Sequence, residues 1–131
     1  MRLTKNFYKI EFESRDGAPM PYYVFQNIKK LAKNLQVLRD YIGRPIHINS
    51  AYRSPQHNKN IGGVKNSKHV LGKAADISVK NMSPRELAHI IMFLIDSRKM
   101  TKGGIGLYNG FVHYDIRGYK ARWDYSNKYD F

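Results

Sequence analysis

The chain has 131 residues, of which 42% are hydrophobic and none is cysteine. That length suits one domain around one core, and the lack of cysteine excludes disulfides, thiolate nucleophiles and cysteine-held metals. The 23 Lys and Arg against 10 Asp and Glu give a net charge of +13, a field that suits an anionic partner: nucleic acid, a membrane surface or an anionic cell wall.

Residues 1–7 have a basic start in Arg2 and Lys5 but no apolar core behind it, so no secretory signal is expected. Residues 1–20 are mixed and end in the turn-like Asp16-Gly17-Ala18-Pro19. Val24, Ile28, Leu31, Leu35, Leu38 and Ile42 then recur at spacings of four and three, the apolar stripe of a core helix. Pro21 suits its first turn and Gly43 its end. Residues 45–49 form a short strand with Ile46 and Ile48 on one face. Residues 50–68 are polar and contain glycine, and a loop this long in a compact domain is usually functional or disordered. Residues 74–79 alternate as a strand. Ser83-Pro84-Arg85-Glu86 is a capping box with proline at the first helical position, and the helix behind it buries Leu87, Ile90, Ile91, Leu94 and Ile95. The longest apolar run, residues 90–95, is far short of a membrane span. Residues 105–108 and 111–116 flank Asn109-Gly110, a strong hairpin signal. Residues 117–131 show no clear period and are expected to be irregular, with Trp123 packed somewhere. The whole is an α+β domain over 1–131: two main helices and a small, largely antiparallel sheet.

Two histidines and an aspartate carry the chemistry. Side chains alternate along a strand, so Phe111, His113 and Asp115 share one face of the hairpin, and Ala74, Asp76 and Ser78 share one face of the earlier strand. If the two strands are neighbours, Asp76 and His113 sit across from each other. His69 comes from the loop before, which Gly72 lets turn sharply back. Together His69, Asp76 and His113 can close three sides of a tetrahedral zinc site and leave a fourth for water. His47 and His89 belong to the surface or to packing, and His57 is intermediate, a residue of the long loop that could touch substrate.

Ser67-x-His69-x-x-Gly72-x-Ala74-x-Asp76 resembles the first zinc motif of the zinc D-Ala-D-Ala carboxypeptidase family, which includes phage endolysins and shares the lysostaphin and hedgehog-type zinc fold. Asn49-Ser50-Ala51-Tyr52-Arg53-Ser54-Pro55 resembles the family's S-x-Y-R-S segment, and Asn58, Gly62-Gly63 and Asn66 continue the likeness. Gly103 to Tyr108 and Phe111 to Gly118 look like its closing hairpin. The resemblance implies zinc held by His69, Asp76 and His113, with Arg53 in the cleft holding a substrate carboxylate or the developing oxyanion, as its planar paired donors allow. It also implies that Ser67 supports the loop or the first ligand. Some relatives place a catalytic glutamate three positions before the last zinc histidine; here that position is Gly110. The nearest carboxylate is Asp115, which is expected to take the proton of the attacking water and hand it to the leaving amine, with a supporting place behind the metal ligands as its alternative role and Asp124 as the weaker candidate base.

The expected activity is zinc-dependent hydrolysis of an amide bond in a peptidoglycan stem peptide, by a carboxypeptidase or an endopeptidase, with anionic wall polymers as further partners. No specific nucleic acid and no membrane span are expected, and the protein is expected to be a monomer. Its setting would be a phage lysis or virion enzyme made in the cytoplasm and acting at the wall after holin-type release. The alternative is a catalytically silent wall-binding module on the same zinc fold. A third reading, nucleic-acid binding, rests on the charge and on 10 tyrosines without a recognised motif.

Overall fold

The computed structural model describes residues 1–131. A short 3-10 turn at Lys9–Phe12 precedes the first helix, α1 (Tyr22–Ile42), which starts after Pro21 and ends at Gly43 in the left-handed region. Its apolar stripe is buried as the spacing requires: Val24, Ile28, Leu31, Leu35 and Leu38 are fully covered. Each such side chain contributes about 1.5–3 kcal/mol of burial free energy, so this one face anchors the helix. Ser83 caps the last helix, α3 (Pro84–Asp96), by accepting from the Glu86 N–H at 3.1 Å. Leu87, Ile91, Leu94 and Ile95 fill the core, and Ile90 packs at its margin. Between them lies α2 (Pro55–Asn60), a six-residue helix inside the long polar segment.

Five strands form one sheet in the order β1 (His47–Ser50), β2 (Ala74–Ser78), β4 (Val112–Asp115), β3 (Gly104–Leu107), β5 (Ala121–Asp124). Three of the four pairings are antiparallel, and β3 with β5 is parallel. The α+β class and the largely antiparallel sheet expected from the sequence are therefore present. The C-terminal segment differs from its expectation of irregularity. Residues 121–124 add the parallel edge strand, because residues 116–120 carry the chain past the start of β3 and leave the backbone of β5 beside it.

The core lies between the helices and one face of the sheet, where Ala75, Ile77, Ile105, Val112 and Tyr114 are buried. Alternation sends Asp76, His113 and Asp115 to the opposite face. The register aligns Asp76 with His113 and Ala74 with Asp115. No helix is long and apolar enough to cross a membrane.

Candidate metal centre

Asp76 and His113 face each other on neighbouring strands, and the third residue arrives from the loop before β2. That loop returns towards α1 at Gly72, whose φ is +73° and whose α-carbon approaches Val24 closely. His69, three residues earlier, is thereby set above the sheet, with its backbone N–H donating to the Ser67 hydroxyl at 3.2 Å. This is the supporting contact expected of Ser67. His69, Asp76 and His113 are all buried, and one ligand atom from each lies within 4.8 Å of the others.

The hydrogen bonds fix where the imidazole protons sit. His69 Nδ1 lies 2.7 Å from the Ala51 carbonyl oxygen. A carbonyl only accepts, so Nδ1 carries the proton and Nε2 keeps its lone pair. His113 Nε2 lies 2.7 Å from Asp115 Oδ2, which places the His113 proton on Nε2 and the lone pair on Nδ1. Those two bare nitrogens stand 3.2 and 3.3 Å from Asp76 Oδ1. Three lone pairs thus converge with no proton assigned between them, an arrangement that needs a cation. Tetrahedral ligand bonds of about 2.0–2.1 Å put ligand atoms about 3.3 Å apart, which matches both separations. A nitrogen–nitrogen–carboxylate set suits zinc and other borderline metals. Burial works against a charge on His113, but hydrogen bonds to Asp115 and Asp76 raise its pKa.

Each of the three side chains is held from behind. Asp76 Oδ2 accepts from Arg53 Nη2 at 3.1 Å. Burial alone would raise the Asp76 carboxyl, but where His113 or His69 carries a proton towards it, in place of a cation, the carboxyl falls well below the ordinary range. Arg53 also donates from Nε to Ser50 at 3.2 Å and from Nη1 to Asn58 at 3.4 Å. A guanidinium has five N–H donors, so two remain for a ligand.

Asp115 occupies a different place from that of a general base. Its Oδ1 accepts from the Gly104 N–H, the Arg117 N–H and Arg117 Nε at 2.9, 3.1 and 2.8 Å. Its Oδ2 accepts from His113 and from Arg117 Nη2, each at 2.7 Å. The residue is fully buried and sits behind His113, away from the cleft. Burial would raise its carboxyl; the His113 and Arg117 bonds hold it well below the usual range. Strand phase puts Asp115 on the right face but does not reveal that five donors already saturate it. Asp124, the alternative base, is exposed and caps the Ser126 N–H and hydroxyl. His47, His57 and His89 stay outside the group of three.

The triad opens into a cleft of roughly 490 Å³. One wall carries Arg53, Gly62, Gly63, Val64, Asn66 and Lys68, the segment expected to be functional; the other carries Tyr108, Phe111, Arg117, Trp123 and Tyr125. The second wall was not found from sequence. Tyr108 stacks on Phe111 with ring centroids 4.5 Å apart, and Trp123 lies 4.9 Å from the His113 ring. The lone tryptophan and the aromatic residues flanking Asn109-Gly110 were the available signals.

Comparison with known proteins agrees with this geometry. Residues 5–115 match the family model described as Peptidase M15. The zinc D-Ala-D-Ala carboxypeptidase of Streptomyces albus G is 46% identical over 44 residues, which make up 33% of this chain and 17% of that protein.

Proposed function

The chain belongs to the peptidase M15 family, and from that premise we propose that it is a zinc peptidase that hydrolyses an amide bond in peptidoglycan stem peptides. The observation that carries this reading is the convergence of the His69, Asp76 and His113 lone pairs at the floor of an open cleft. The likeness to a zinc D-Ala-D-Ala carboxypeptidase supports zinc as the metal and a carboxypeptidase or endopeptidase as the activity. Zinc in such a site supplies Lewis acidity that makes water a nucleophile near neutral pH.

The chain's own residues do the rest. Ala51, Arg53 and Asp115 fix the three ligand side chains, so the donor atoms need no rearrangement. The two remaining N–H groups of Arg53 can hold a substrate carboxylate or the oxygen on which charge develops. Arg53, Lys68 and Arg117 line the cleft and Asp76 is its one carboxylate, which suits an anionic peptide. The surface charge of +13 suits anionic wall polymers. The setting we infer is cell-wall lysis of the phage endolysin or virion kind, supported by the sequence resemblance.

One observation favours a second reading: the cleft offers no unengaged carboxylate to take a proton, since Asp115 is saturated and Gly110 carries no side chain. A wall-binding module would look the same. Mass spectrometry of purified cell walls after digestion, with and without chelator, decides between them and names the bond. The peptidase reading expects defined fragments, lost with chelator and with His69→Ala. Absence of bound zinc, with digestion unchanged in His69→Ala, overturns it.

A further inference from the structure

Tyr108 carries a polar group that the metal centre does not use. Its hydroxyl oxygen accepts from Trp123 Nε1 at 3.0 Å, and it has no other hydrogen-bond partner in the protein. An indole N–H can only donate, so one lone pair of the phenol is committed and its proton must point elsewhere. Tyr114 makes the contrast: its hydroxyl is spent on the Thr101 carbonyl at 2.6 Å, on the core side of the sheet. Tyr108 is half-buried in the wall of the same cleft that Asp76 and Arg53 line.

The anchor is itself fixed. Trp123 lies over Gly106, where a β-carbon would run into the indole. It is bracketed by the His113 ring at 4.9 Å and the Arg117 guanidinium at 5.4 Å. Phe111 stacks on one face of the Tyr108 ring, and Tyr125 meets it edge-on at 5.7 Å. The phenol ring cannot swing without breaking a stack and a hydrogen bond. Its environment also favours the neutral form: burial raises the Tyr108 pKa against the Trp123 bond, so the hydroxyl stays a donor.

We propose that Tyr108 is a catalytic hydrogen-bond donor to the oxygen on which charge develops in the tetrahedral species, and that Trp123 is the positioning residue that aims it. The inference rests on the peptidase reading above. A donor already fixed at the place where charge appears stabilises the transition state without reorganisation, and removing one such donor typically costs about 10²–10³ in kcat. Together with the two free N–H groups of Arg53, it would give the oxyanion donors from both walls of the cleft.

The test uses zinc-loaded full-length protein, a wall-derived stem peptide as substrate, and a phosphinate dipeptide as tetrahedral mimic. Tyr108→Phe keeps the stack and deletes only the hydroxyl. It is expected to lower kcat by about 10²-fold with KM within about threefold, and to weaken phosphinate binding by a similar factor. Trp123→Phe is expected to lower kcat about tenfold in the native background and to add nothing to Tyr108→Phe, because it acts through that hydroxyl. Circular dichroism and thermal melting check that both variants fold. Unchanged kcat and phosphinate affinity in Tyr108→Phe, a KM effect alone, or additive losses in the double variant overturn the proposal. A native protein that binds phosphinate tightly but cleaves no wall peptide defeats the peptidase reading, while the binding arm still scores Tyr108. One that binds no phosphinate defeats both.

Discussion

Asp115→Asn separates two roles for the same carboxylate. Asparagine keeps the shape but turns one acceptor into a donor. If the amide nitrogen took the Oδ1 place it would face three donors, from Gly104 and Arg117. In the Oδ2 place it faces two, His113 Nε2 and Arg117 Nη2, so that orientation wins. The His113 clash is relieved when the ring moves its proton to Nδ1 and accepts through Nε2. That tautomer points an N–H, not a lone pair, at Asp76 Oδ1. Zinc binding must then reverse the tautomer and recreate the clash. Loss of such an outer partner typically costs 10–100-fold in metal affinity, about 1.4–2.8 kcal/mol, and the forced tautomer puts this case at the upper end.

The assay is a zinc titration against a competing chelator, followed by turnover of wall fragments at saturating zinc. The expected result is a zinc Kd raised about 100-fold, with kcat recovering to within about tenfold of native once the site is filled. In zinc-free protein, the Arg117 Nη2 left without its acceptor should also lower unfolding stability by about 2–3 kcal/mol, read from urea midpoints. A general base behaves in the opposite way: its loss leaves metal affinity intact and collapses kcat at every zinc concentration. That second pattern would refute the positioning role.

Two further perturbations test the supports of the site. Gly72→Ala forces a side chain into the left-handed region, with its β-carbon 2.7 Å from Val24 Cγ1 and 2.8 Å from the Val24 carbonyl oxygen; the expected loss is about 2–4 kcal/mol by urea unfolding, and a loss below about 0.5 kcal/mol counts against the packing argument. Asp16 has its pKa lowered to about 2 by hydrogen bonds from Ser54, Ser14 and the Ala18 N–H. A native pKa below the unfolded value of about 3.9 means that the unfolded chain binds more protons in between, so the stabilisation is present above pH 4 and lost as pH falls through 2. Asp16→Asn should therefore be less stable than native at pH 5, with the gap closing by pH 2 in thermal melts; a gap constant with pH would refute the linkage.

What the sequence made legible was whatever repeats or alternates. The stripe from Val24 to Leu38, the box at Ser83–Glu86 and the Asn109-Gly110 turn each state a local geometry that tertiary packing then respects. Strand phase put Asp76 and His113 on faces that can meet, because the side-chain period is two; that they sit directly opposite is set by the β2–β4 register, which the spacing does not force. The short elements lacked that redundancy. The six residues of α2 are nearly all polar and expose no apolar stripe. Yet Ser54-Pro55 is the same start signal as Ser83-Pro84, and Ser54 accepts from the His57 N–H at 3.1 Å. Three of the four residues of β5 are only partly covered and Asp124 is exposed, so neither face alternates. That strand exists because its backbone completes the edge of β3, and Gly106 leaves room for the Trp123 indole.

Depth was the other illegible quantity. Alternation says which face Asp115 occupies, not whether it is reached from the cleft. That depends on Arg117, two residues on, folding back to pair with it at 2.7 and 2.8 Å. The pattern His113-x-Asp115-x-Arg117 therefore carries a chain of orientation. Arg117 holds Asp115, Asp115 accepts the hydrogen bond of the His113 Nε2–H and so keeps the proton there, and the Nδ1 lone pair is left for a cation. Ala51 does the same for His69 through its carbonyl, and Arg53 for Asp76 through Oδ2. The three outer partners come from two separate parts of the chain: the segment between β1 and α2 supplies Ala51 and Arg53, and the end of β4 supplies Asp115. The donor geometry is thus set by the fold before any ion arrives, and the site's affinity depends as much on where its protons are held as on the three side chains that face inward.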